Sequence, residues 1–341
     1  MRVAVVGASA ISAFGNGWRG LGEAIVEART LPGVPAEPAP DRSPLARARK
    51  MMSRGAYLAA SCLGELVRGL AGRPAACGYF LGVGASGGSL DDVIALLRES
   101  FADGVFSLER FGDRGLAACN PLLAFQLMNN FTLCHGAILE AIGGPNGALF
   151  SRGAGTTAAL IEAVQAIVDD DCACAIAGGA DSAIHPVTRA ELARDRFVAR
   201  GLVPAEGAGL VALELETTDA SPIGFVDGCA IASGHGRALC DATSEATERA
   251  TLDVAGVDLI VTAAWGPPAA VELERWATAH VPAARVVDAT ARLGDALAAS
   301  PALAWIAALD LLVAGRAERA LVLNAGTDGD VGAVALSRGA P

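Results

Sequence analysis

The residues best able to act as nucleophiles, bases or metal ligands are eight cysteines, Cys62, Cys77, Cys119, Cys134, Cys172, Cys174, Cys229 and Cys240, and four histidines, His135, His185, His235 and His280. No cysteine stands in a Cys-x-x-Cys pair, and several lie inside apolar runs such as Cys-Ala-Cys-Ala-Ile-Ala-Gly-Gly from Cys172, so they read as small buried hydrophobes. Cys172 and Cys174 are two apart and would point the same way on a strand, but no His and no second Cys pair accompanies them, so no metal site is expected. Each histidine has a structural reading: His135 in a helical apolar stretch, His185 at a turn before Pro186, His235 in a Gly-rich turn, His280 at the end of a surface helix. The run Phe-Ser-Arg-Gly-Ala-Gly-Thr-Thr at 150–157 could cradle an anion on backbone N–H groups, but close packing of helix on sheet explains its glycines better.

These side chains sit in a chain of 341 residues with 52% hydrophobic residues, enough to bury one large core or two fused smaller ones. The net charge of −11 and the absence of a Lys/Arg-rich run exclude a nucleic-acid or acidic-membrane partner, because both need a concentrated positive footprint. No apolar run has the roughly 18 to 20 residues of a membrane span, and no signal-peptide pattern opens the sequence, so a cytoplasmic location is the default expectation.

Ten short apolar runs read as strands. Five begin near Arg2, Cys77, Gly147, Cys172 and Ala208; five more begin at Pro222, Asp258, Arg285, Ala320 and Gly332. Helical periodicity lies between them at about 46–71, 90–103, 121–142, 155–169, 237–252, 269–280 and 295–314. The polar linker Glu-Thr-Thr-Asp-Ala-Ser-Pro at 216–222 separates the two sets. Two comparable sets of five predict a duplicated α/β unit, with halves at 1–216 and 222–341 forming one compact body. The strands are apolar on both faces, as sheets covered on both sides must be. The helix over Thr156 to Val168 is among the most apolar and is expected at the centre.

The opening Arg-Val-Ala-Val-Val-Gly-Ala-Ser and its Gly-Asn step resemble the first strand and loop of the β-ketoacyl synthases of fatty-acid and polyketide assembly. So do the Gly-Pro-Asn turn at 144–146 with the strand and helix after it, and Ala-Gly-Gly-Ala-Asp at 177–181. Glu-Gly-Ala-Gly at 206–209 and the Asn- and Gly-rich closing segment from Leu323 complete four matches in order over most of the chain. The resemblance implies the thiolase-like fold, two βαβαβαββ halves giving five αβαβα layers. The chain is shorter than the family pattern, the shortfall falling between His185 and Arg200.

The resemblance also implies what is missing. The family's decarboxylative condensation uses a Cys thiolate where a strand turns into the buried helix, with two histidines stabilising the enolate oxygen. Those positions align with Gly153, with Trp265 in Ala-Ala-Trp-Gly-Pro-Pro, and with Ala291 in Thr-Ala-Arg-Leu-Gly-Asp. The family's Lys falls near Val286 and its aromatic gate near Asp328, and Ser151 is a poor substitute nucleophile. No catalytic residue, cofactor or metal is therefore expected in this chain.

Synthase-like chains without the Cys resemble the chain-length factors of type II polyketide systems. These pair with an active ketosynthase as a heterodimer, which implies an acyl carrier protein reached mainly through the partner. The helix before the Gly-Pro-Asn turn is then expected at the interface. Ala124, Met128 and Phe131 share one face, bordered by Phe125 and Thr132, as walls of the acyl tunnel. The well-known aromatic-polyketide members carry Gln where this chain has Gly153, so the expected product leans toward a reduced chain such as a polyene.

Two alternatives keep the same fold: an acyl-transfer or hydrolytic enzyme using atypical residues, and a homodimeric acyl-binding protein. A nicotinamide oxidoreductase is set aside, because the glycine spacing after the first strand is not Gly-x-Gly-x-x-Gly and no Tyr-x-x-x-Lys pair exists.

Overall fold

The structure is a computed structural model that describes residues 2–27, 44–70, 74–85, 87–217, 222–251, 253–327 and 329–339. Part of the 216–222 linker, the last residue of the 46–71 helix expectation and Asp328 lie outside the described residues.

All ten expected strands form: β1 Val3–Ser12, β2 Gly78–Val83, β3 Asn146–Phe150, β4 Cys174–Ser182, β5 Glu206–Leu215, β6 Gly224–Ala232, β7 Leu259–Ala264, β8 Arg285–Asp288, β9 Arg319–Ala325 and β10 Val331–Arg338. The helices that matter here are α1 Arg54–Gly69, α2 Leu90–Ser100, α3 Leu123–Leu127, α4 Phe131–Leu139, α5 Ala154–Val168, α6 Pro186–Arg194, α7 Leu239–Ala250, α8 Pro267–His280, α9 Thr290–Leu293 and α10 Ser300–Val313.

The strand order β8-β7-β9-β10-β6-β1-β5-β4-β2-β3 divides into two five-stranded groups of the same pattern. In each group four strands run in one direction and one, β5 or β10, runs against them. The groups are stitched by three residue pairs between β1 and β6, Val3 with Val226, Ala4 with Phe225 and Val5 with Gly224. Helices α5 and α10 pack between the two groups, α1 and α4 cover the outside of the first, and α7 and α8 that of the second. This is the expected five-layered arrangement. Its middle layer explains the composition of α10, buried along nearly its whole length: with sheet on both sides, no polar stripe can reach water.

The helix expectations need three corrections. The 46–71 segment breaks at Met52, whose extended backbone ends a 3-10 turn, and α1 restarts where the Ser53 hydroxyl accepts from the Ala56 N–H at 3.2 Å. Ser53→Ala is expected to cost about 1 kcal/mol through this lost cap, read as a lower urea midpoint at unchanged slope. The 121–142 segment is two helices: Met128 is extended, and α4 begins only after Asn130. Ala124 and Met128 therefore do not continue the face of Phe131. The last helix starts at Ser300 rather than 295, behind a turn over Leu297–Ala299.

The cysteines also depart from expectation. Cys77 and Cys174 form a disulfide with Cα atoms 4.8 Å apart, because β2 and β4 are parallel neighbours in the register Gly78 to Ala175. Cys174 is thus neither a free apolar side chain nor half of a metal pair. Among the described residues no group of three or more His, Cys, Asp or Glu stands together as a metal cluster, and no helix is long and apolar enough to cross a membrane.

Candidate functional site

The turn from β3 into α5 forms the centre of the site. Gly153 caps α5 with φ +114° and ψ −67°, a conformation that L side chains rarely adopt. A Cβ built there would lie 2.9 Å from Gly326 Cα and 3.8 Å from the Trp265 indole nitrogen. Trp265 leaves the end of β7, is 4% exposed, and packs edge-on against Phe197 with ring centroids 6.0 Å apart. Its N–H is buried without a hydrogen bond. Trp265 thus stands beside Gly153.

Helix α5 is clamped close to the sheet. A Cβ on Gly82 of β2 would fall 2.5 Å from Thr156 Cα, and one on Gly155 would fall 2.8 Å from the Leu149 carbonyl oxygen. The Thr156 hydroxyl donates to the Ala298 carbonyl, and Thr157 donates to Asn324 Oδ1 at 2.8 Å. These contacts account for the glycines of the 150–157 run by packing, with no ligand required. Arg152, next to Gly153, is paired with Glu191 of α6.

The other expected positions scatter. Ala291 lies exposed on α9 in a hollow shared with Ile25, Val26, Arg285, Val286 and Asp288. The residue brought to Trp265–Gly266 is Asp295: the Gly266 N–H donates to its Oδ2 at 3.3 Å. Gly294-Asp295-Ala296-Leu297-Ala298 matches the Gly-His-x-Leu-Gly pattern at two positions, as many as the register through Ala291. Asp295 is 2% exposed, its Oδ1 has no hydrogen bond, and its pKa is pushed up to about 8. Burial is the main cause, the Gly266 N–H opposes it, and the Asp288 carboxylate adds to it.

Asp181, at the end of β4, is a second buried acid, raised by burial to about 7 against the opposing Ser182 and Ala298 N–H groups and the Arg152 charge. It accepts from Ser182 N–H at 2.7 Å and from Ala298 N–H at 3.4 Å. Both acids therefore hold the 295–300 turn, which lies against the start of α5. Glu206 completes the polar interior, accepting from Arg54 at 2.6 Å and from the Ser182 hydroxyl at 2.7 Å.

The histidines stand apart from Gly153's neighbours. His185 caps α6 with Nε2 3.0 Å from the Gly88 carbonyl oxygen, and His280 Nδ1 is 2.8 Å from the Trp276 carbonyl oxygen. His235 lies in an exposed turn. His135 is buried on α4 against Phe131, and desolvation lowers its pKa.

Of the expected wall residues, Phe125 and Phe131 meet edge-on at 5.0 Å, and Met128 is exposed. Ala124 is exposed as well, whereas Thr132 is buried and faces the hollow beside Asp181 and His185. Thirteen of the eighteen exposed large apolar side chains among the described residues fall between Leu90 and Phe150. Phe150 lies on β3, the end strand of its sheet, and Ile138 on α4, which packs against that strand.

Residues 68–219 match the β-ketoacyl synthase N-terminal domain family. No curated protein matches the chain in sequence. In three dimensions the chain is similar along its whole length to the ishigamide ketosynthase/chain length factor, with 22% identity, a TM-score of 0.76 and 100% of both chains covered. It is also similar to a ketosynthase bound to the hexaketide in complex with its type II polyketide synthase acyl-carrier protein, with 13% identity, TM-score 0.78 and 99% of each chain covered. A β-ketoacyl synthase from Burkholderia phymatum STM815 gives 17% identity, TM-score 0.76 and 99% coverage of each chain. The fold is thus the thiolase-like fold of the ketosynthases, and the chain resembles that family from end to end.

Proposed function

We propose that this chain, built on the ketosynthase fold, is the non-catalytic chain-length-factor subunit of a type II polyketide synthase. The observation that carries the reading is Gly153: where the resemblance implies a nucleophilic Cys, the strand-to-helix turn has no side chain and a backbone suited only to glycine. Trp265 beside it, and Asp295, which accepts from the Gly266 N–H, supply no imidazole. A buried indole and a carboxyl with a raised pKa cannot reproduce a pair of imidazole donors around an enolate oxygen.

The partner in this reading is an intact ketosynthase docked on the β3 edge and the apolar surface from Leu90 to Phe150. An unpaired edge that carries exposed Phe150, with exposed Ile138 on the helix packed against it, is the surface a soluble protein covers with a second chain. Phe125, Met128 and Phe131 are the candidates to wall the acyl tunnel, with Ala124 at their margin; the buried Thr132 is left to the interior. Among the structures of the same fold, one is itself a ketosynthase/chain length factor and another holds an acyl-carrier protein. The carrier is assigned here to the partner's side, since this chain is acidic. A polyene or other reduced chain is the proposed product class.

The test is co-expression with the ketosynthase encoded beside it, purification through a tag on this chain, and an acyl-extension assay. A one-to-one complex that extends acyl chains, and stops when the partner's Cys is replaced, is the expected result. Elution as an active single species would transfer the chemistry to this chain's own residues. An inactive homodimer would favour the acyl-binding alternative.

A further inference from the structure

We propose that Cys77 and Cys174 form a thiol–disulfide switch that sets how firmly the edge strand β3 is held. The bond joins the segment entering β2 to the start of β4, at the end of the sheet opposite Gly153. The turn that launches β3 rests on the same segment. The Gly143 N–H donates to the Ala75 carbonyl at 3.1 Å, and the Tyr79 N–H donates to the Pro145 carbonyl at 2.8 Å. A Cβ on Gly144 would collide with the Cys77 carbonyl, so the two pieces of backbone lie in direct contact. Tying Cys77 to β4 therefore also fixes the platform from which the outermost strand leaves.

The two sulfurs differ in access. Cys77 is 5% exposed, while Cys174 is half-buried and is the sulfur an outside thiol reaches. A small dithiol attacks Cys174 as its thiolate, and the S–S electron pair leaves on Cys77, which takes a proton. The second thiol of the reagent then displaces the first, releasing Cys174 as a thiol and the reagent as its cyclic disulfide. Oxidation by a small disulfide runs the same exchanges in reverse. Cys172 packs against Gly78 close by, but burial raises its pKa and keeps it protonated, so it does not compete as an attacking thiol. In the reducing compartment expected for this chain, disulfides are mostly transient or regulatory rather than permanent staples.

The experiment compares the intact chain equilibrated with a small disulfide oxidant against the same chain with a dithiol. Thiols are counted by alkylation under denaturing conditions and mass spectrometry, and amide hydrogen exchange is followed over residues 146–150. Six alkylated cysteines are expected after oxidation and eight after reduction, with Cys77 and Cys174 accounting for the difference. Exchange in β3 is expected to rise about tenfold on reduction while the strands of the second half hold steady. The Cys77→Ser, Cys174→Ser double variant should exchange like the reduced protein under both conditions. Eight alkylated cysteines in both states, or a formed bond that leaves β3 exchange unchanged, would overturn the proposal. Because the wild-type protein supplies both states, the result stands even where the double variant fails to fold. No partner is required, so it is independent of the subunit assignment.

Discussion

Gly153→Cys is expected to give a protein that still has no condensing activity and is less stable by about 3 kcal/mol. The change restores the thiol that the fold family uses, at the start of a 15-residue helix, so chemistry alone would favour a gain. Geometry decides against it. At φ +114° any Cβ is strained, and this one would also stand 2.9 Å from the Gly326 backbone, which has no flexible end to yield. The thiol would face the Trp265 indole rather than an imidazole. Gly153→Ala separates the causes, since it should lose nearly the same stability with no thiol present. Chemical denaturation gives the stability, and acyl extension by the purified variant gives the activity. A Cys variant as stable as its parent and able to extend acyl chains would show that the site is merely short of one atom.

The second large effect is a fall in stability as pH rises from about 5 to about 8. Asp181 and Asp295 have folded-state pKa values of about 7 and about 8, above their ordinary carboxylate range. Between the unfolded and folded values the native state holds protons that the unfolded chain has released. Raising the pH therefore favours unfolding, by roughly 1 kcal/mol per pH unit for each acid, and the loss levels off once both acids ionise in the fold. Arg152 faces Asp181 and softens its share, whereas Asp288 faces Asp295 and sharpens it. Opposite behaviour comes from Asp195, Glu245 and Asp253, held low by Arg194, Arg237 and Arg319; their contribution is present above the ordinary carboxylate range and fades below it. Maximum stability is thus expected near pH 5, unusually acidic for an interior-rich α/β protein. Asp295→Asn keeps the shape and removes the titration, so its thermal midpoint should vary less between pH 5 and 8 than that of the parent. An unchanged pH profile in Asp295→Asn and in Asp181→Asn would refute the assignment.

The sequence made the strands and the middle helices readable, because being covered on two faces forces long apolar runs that turns must interrupt. The break at Met128 was hidden for the opposite reason: apolar residues continue on both sides of it, and periodicity alone does not register one extended residue. Trp265, singled out by its motif, lies next to Gly153. Asp295 was not singled out, because its burial depends on the 295–300 turn meeting Gly266, a contact between distant segments that no motif spells. The Cys77–Cys174 bond could not be read at all, since their 97-residue separation carries no spacing signal and only strand order makes them neighbours.

Strand β1 pairs on one side with β5 and on the other with β6, segments some two hundred residues later in the chain. At ribosomal speeds of about 5 to 20 residues per second, the first strand synthesised, paired only at its end with Gly15–Asn16, waits roughly 10 to 40 s for a full-length neighbour. During that interval Val3 and Val5 have no strand to pair with. Assembly of the first half therefore has to wait for late-made segments, and the nascent chain presents a sticky apolar strand throughout. A chaperone that shelters extended apolar segments would act on this protein mostly before residue 215 has left the ribosome.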